Sequence, residues 1–162
     1  MKPAVSLHTF AATHPRWAVE AGVPNDTGWI RGVDFTRPTI DPFAALIDRI
    51  GERCRTSDRK TIAGWFTLTF GLSSWSAIAP GLLAGVVPDV SLTNVSFRFA
   101  PSLESVERIG IHQMRVVTDA AEDDAIRTAL RAQLVTQAEP VAAALHAWSG
   151  LSLRAIWGLV AS

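Results

Sequence analysis

The sequence predicts an α+β fold that is mostly α: a helical domain with a small antiparallel β-hairpin or meander around residues 90–117. Three observations carry this. Apolar residues recur at three- and four-residue spacing over residues 43–54, 65–86 and 126–134, as helical faces require. One stretch, VSLTNVSFRF, alternates instead, with Val95, Phe97 and Phe99 set against Ser96 and Arg98. The link from there to the next strand-like run, IGIHQMRVV, is too short for a helical crossover, so an antiparallel pair is the economical arrangement.

The elements follow in order along a chain of 162 residues, which supports one core and is short for two, so residues 1–162 are read as a single domain. Residues 1–38 are dense in Pro, Gly and Asn-Asp turn chemistry and form an irregular segment, with VSLHTFAAT as its one helical signal. In IDPFAALIDRIGERC, Asp41 can cap a helix and Pro42 suits its first position, while Phe43, Leu46, Ile47, Ile50 and Cys54 share a face. After a break at RTSDRK, where Thr56, Ser57 or Asp58 offers the next cap, residues 61–87 carry no charged side chain. Large residues, from Trp65 to Val86, line one side of that run; Gly64, Gly71, Ala77 and Gly81 make the other side small. Length permits a membrane span over residues 62–87. Four glycines, Pro80 and several hydroxyl residues favour a buried core helix instead, ended or kinked by Pro80 near Ala79.

A polar connector between the two strands has room for a short strand around Leu103 to Val106. Beyond the strands, Thr118 or Asp119 caps a helix whose first turn holds Glu122, Asp123 and Asp124. Pro140 is expected to start or kink a further helix, which Ser149-Gly150 stops. Ser152 caps a last one, LRAIWGLVAS, that ends on apolar residues without a stop signal.

Composition excludes several function classes. Fifteen basic and fifteen acidic residues give no electrostatic footprint for nucleic acid. A single cysteine, Cys54, leaves no disulfide framework and no metal site built on several thiolates of this chain. The N-terminus lacks the apolar stretch of a secretory signal. His8, His14, His112 and His146 are scattered, with no pair spaced to share a metal. Cys54 stands between two arginines, yet helical phase puts it beside Ile47 and Ile50, so it reads as a buried thiol. Ser73, Ser74 and Ser76 have no histidine in register and no nucleophile elbow. No catalytic residue can be named. Six tryptophans, Trp17, Trp29, Trp65, Trp75, Trp148 and Trp157, read mostly as core, with one or two available to a planar ligand at a cleft.

Two stretches, residues 28–90 and the ending EPVAAALHAWSGLSLRAIWGLVAS, resemble the FhuF-like ferric iron reductases, especially their actinobacterial members. The ending carries the family's Ser-x-Arg-x-x-Trp-Gly pattern as Ser152, Arg154, Trp157 and Gly158. The resemblance implies a cytoplasmic, sometimes membrane-associated protein that reduces the Fe(III) of a siderophore to Fe(II). In the family the electron comes from a 2Fe-2S cluster held by four cysteines C-terminal to the Trp-Gly helix. This chain stops before such a segment, and Leu159 stands where the family often has Asn. The expectation is a truncated or degenerate substrate-binding part without its cluster, inactive as an isolated reductase. Its candidate pocket residues are Trp75, Arg98, Arg115, Arg154 and Trp157, the arginines for an anionic iron chelate and the indoles for an apolar wall. Two alternatives stand beside it: a non-enzymatic module that holds a siderophore or docks an iron-sulfur partner, and a small single-span membrane protein.

Overall fold

A computed structural model describes residues 19–22, 27–83, 87–103, 105–113, 115–118 and 123–160, with the backbone path alone for residues 19–21, 72–83, 116, 118 and 123. Among the described residues, six strands and four α-helices run in the order β1 (Val19–Ala21), β2 (Trp29–Arg31), α1 (Phe43–Cys54), α2 (Arg59–Leu83), β3 (Val87–Pro88), β4 (Val95–Phe99), β5 (Val106–Ile111), β6 (Val116–Thr118), α3 (Asp123–Ser149) and α4 (Leu153–Val160). The class is α+β, mostly α, as the sequence predicts. The helical signal in VSLHTFAAT and the cap at Thr118 or Asp119 lie outside the described residues or side chains.

The alternating stretch VSFRF forms β4, and it pairs antiparallel with β5 from Val95↔Ile111 to Phe99↔Val106. Between them, Leu103 turns the chain at a left-handed φ of 61° while its side chain is buried. Among the described residues of the connector no separate strand forms, and Val106 already belongs to β5. The sheet is larger than a hairpin because residues 1–38, which the sequence leaves irregular, add two strands. β2 pairs antiparallel with β4 and β1 pairs parallel with β5, giving the order β1-β5-β4-β2. The second strand signal, IGIHQMRVV, divides after Ile111, and its end forms β6, which pairs with β3 apart from the main sheet. A central position explains why Ser96, expected on a solvated face, is buried: its Oγ lies 2.9 Å from Nε2 of His112.

Six phenylalanines decide where sheet and helices meet. Phe35, in the 3-10 turn Gly32–Thr36 after β2, has no exposed surface, and its ring centroid lies 5.1 to 6.1 Å from those of Phe43, Phe66, Phe70, Phe97 and Phe99. Edge-to-face contacts dominate around it, the arrangement that ring quadrupoles favour. The turn sits so close to the β3–β4 loop that a Cβ on Gly32 would stand 2.7 Å from the carbonyl oxygen of Leu92. Only glycine fits there.

Helix ends agree with the sequence in kind and differ in detail. Pro42 lies one residue before α1, and Oδ1 of Asp41 accepts from the Ala45 N–H at 3.2 Å. Arg55 ends α1 in the left-handed region, where its N–H and that of Thr56 donate to the carbonyls of Glu52 and Gly51. Among the three candidate caps for α2 it is Asp58 that serves: its Oδ2 accepts from the Thr61 N–H at 2.9 Å and from Thr61 Oγ1 at 2.6 Å. Those bonds, the hydroxyl's first, hold its carboxyl below the usual carboxylate range.

Of the two effects expected of Pro80 and Pro140, a helix boundary is absent at both. α2 continues through Pro80 to Leu83, and α3 is one helix of 27 residues through Pro140, with no separate segment starting there. Each proline forfeits one backbone hydrogen bond, but burial on both sides of it outweighs that loss in α3, where Gln137, Ala138, Val141, Ala142 and Leu145 are all buried. Gln133 and Gln137 also fix α3 to the loop after β3, accepting from the Val90 N–H at 3.1 Å and donating to its carbonyl at 2.9 Å. Among the described residues no helix is long and apolar enough to cross a membrane. In the uncharged run, Ile62, Ala63, Phe66 and Phe70 of α2 belong to the one core cluster.

Candidate functional site

The last three helices leave a groove. α2 contributes Phe70 and Gly71, α4 contributes Trp157 and Val160, and α3 runs along the other side with Arg127, Leu130, Arg131, Leu134, Val135 and Ala138. Its volume is about 380 Å³, within the range of small-molecule sites. Sequence spacing builds the α3 wall: positions i, i+3, i+4, i+7, i+8 and i+11 lie on one helical stripe. That stripe is cationic toward the start of α3 and apolar toward its end. Arg127 is widely exposed and lies 3.3 Å from the Asp124 carboxylate, while among the described residues Arg131 meets no carboxylate at ion-pair distance.

α4 is placed by its cap and by a small residue opposite it. Ser152 Oγ accepts from the Ala155 N–H at 3.2 Å, preceded by Gly150 at a φ of 71° and by Nδ1 of His146, which lies 2.8 Å from the Leu151 carbonyl. A Cβ on Gly71 would stand 3.2 Å from Cα of Val160, so α2 and α4 approach closely there. Gly64, on the same side of α2, faces Leu159. The small face read from the sequence is thus, in its first half, the seat of α4.

The predicted site residues are dispersed. Trp157 is half-buried in the groove. Arg98 lines a separate cleft of about 220 Å³ by the sheet, where its Nε lies 3.6 Å from Oε2 of Glu107 on the neighbouring strand. Arg115 is exposed one residue before β6, its carbonyl accepting from the Asp89 N–H. Arg154 is exposed on the first turn of α4, and the side chain of Trp75 lies outside the described ones. Within the Ser-Arg-Trp-Gly pattern, Ser152 is a helix cap, Trp157 a groove wall, and Gly158 an exposed position where a Cβ would meet nothing within 4 Å. Arg127 and Arg131 escaped the sequence reading. Their signal was present as two arginines four apart on the apolar stripe of a helix, but which helix faces that stripe is a tertiary fact.

No family model and no curated protein matches this chain. The FhuF-like resemblance therefore rests on the residues that carry it. Its iron-sulfur centre does not fit the residues present. The one thiol, Cys54, is half-buried against the core, and among the described residues no group of three or more His, Cys, Asp and Glu side chains is placed to hold a metal ion.

A second, wider cleft of about 810 Å³ lies between the end of α1 and the start of α2 and reaches Trp148. Its one aromatic face is already taken: the Arg59 guanidinium lies 5.5 Å from the Trp148 ring centre and donates to the Trp148 carbonyl at 3.4 Å. The groove is the better candidate.

Proposed function

We propose that this chain is the substrate-binding part of a cytoplasmic FhuF-like ferric-siderophore reductase, and that it holds its ligand in the groove between α2, α3 and α4. The observation that carries the proposal is the composition of that groove, an apolar trough walled by Trp157 with Arg127 and Arg131 at one end. An anionic iron chelate with apolar arms matches both features: the arginines offset its charge and the trough takes an arm out of water. The trough is too small for a whole siderophore, so the chelated iron stays at its rim. Reduction is assigned to a centre outside these residues, since a four-cysteine cluster cannot be built on Cys54 alone.

Tryptophan fluorescence tests this directly. A ferric hydroxamate or ferric catecholate complex is expected to quench the emission saturably, and Trp157→Phe to remove most of that quenching. Absence of saturable quenching by either complex, or quenching that Trp157→Phe leaves unchanged, overturns the proposal.

A further inference from the structure

We infer that the groove is a site for an amphipathic monocarboxylate, with its alkyl chain along the trough and its carboxylate between Arg127 and Arg131. This rests on the reading that the groove is the ligand site, and it names the ligand chemistry. Polarity is unevenly distributed along α3. From Arg127 to Ala138 the groove-facing stripe advances eleven steps along the helix, roughly 16 Å at 1.5 Å per residue. Its two cations, with Leu130 between them, stand in the first part of that length, and Leu134, Val135 and Ala138 occupy the rest. Phe70 and Trp157 complete the apolar portion from the facing helices. A uniformly apolar ligand leaves the arginines unused, and a compact anion leaves the trough wet. A chain with one charged end satisfies both.

Size sets the chain length. Taking about 30 Å³ for each water- or methylene-sized unit, the groove admits roughly a dozen of them. Decanoate is accordingly the natural probe. The carboxylate is positioned to lie against Arg131, which meets no carboxylate among the described residues, and to draw on Arg127, whose exposed contact with Asp124 is weak and readily exchanged.

Titration calorimetry of the full chain with decanoate, octanoate, decanol and decylammonium decides the matter. Decanoate is expected to bind one to one. Octanoate should bind about ten-fold more weakly, from the loss of two buried methylenes, and decylammonium should not bind. Arg131→Gln, an exposed position whose effect on folding is checked by circular dichroism, is expected to weaken decanoate roughly three- to ten-fold and leave decanol unchanged. No decanoate binding, equal affinity for decanoate and decylammonium, or an Arg131→Gln variant that binds decanoate as the parent does, overturns the inference. So does co-sedimentation with anionic phospholipid vesicles without binding of monomeric decanoate. Ferric complexes that quench Trp157 while decanoate fails overturn this inference alone; decanoate binding without ferric-complex binding overturns only the siderophore reading.

Discussion

Asp58 is fully exposed, yet its carboxylate organises the first turn of α2 through three donors: the hydroxyl and N–H of Thr61 and the N–H of Lys60. Its folded pKa lies below the ordinary value of 3.8. The ionised cap therefore stabilises the fold above that value, and the contribution disappears as pH falls through the depressed one. Asp58→Asn keeps an acceptor but not the charge, so it should melt below the parent at pH 7, with the difference closing as the pH falls below the ordinary carboxylate value and through the depressed one. Thermal melts by circular dichroism check this, and a difference that persists at the acid end would show that the charge is not what the cap uses. The sequence narrowed this cap to Thr56, Ser57 and Asp58. Choosing among them needed the geometry of the break, where the Thr56 hydroxyl is itself engaged by the Asp58 N–H at 3.0 Å.

At the scale of the element, α4 was readable as an amphipathic helix with Ser152 as its cap, because both signals are local. What its Trp-Gly pair does was not readable. Trp157 faces the groove while Gly158 faces away from neighbours, so the glycine is not required by packing among the described residues. Gly158→Ala is expected to raise stability by about 0.5–1 kcal/mol, measured as a higher urea midpoint with an unchanged slope. A destabilised variant would mean that this position touches something beyond the described side chains. The two prolines teach the converse lesson. Pro80 and Pro140 are strong local breakers, yet neither ends its helix, and around Pro140 buried residues on either side hold α3 in place.

For the whole molecule the decisive residue is Phe35, the ring that joins α1, α2 and β4 in one cluster. Phe35→Ala should remove about 3–5 kcal/mol, a large share of the stability of an ordinary domain. Because the buried cluster reaches from Ile30 to Ile156 without a division, the parent is expected to unfold in one transition, with far-ultraviolet circular dichroism and tryptophan fluorescence coincident in urea. Separate midpoints for the two signals would show that the helices and the sheet are not one cooperative unit. The sequence by itself determined the fold class, the helices that the structure places at residues 43–54 and 153–160, an antiparallel pair within residues 90–117 and the single thiol. These follow from periodicity, capping chemistry and composition, all of which act within a few residues. Only the tertiary structure decided that a turn in the irregular N-terminal segment supplies the centre of the core, that Arg98, Arg115 and Arg154 point to different parts of the surface, and that Arg127 and Arg131 stand at the end of an apolar groove. Those facts depend on which helix lies against which, and that is set by how rings and small residues far apart in the chain pack together.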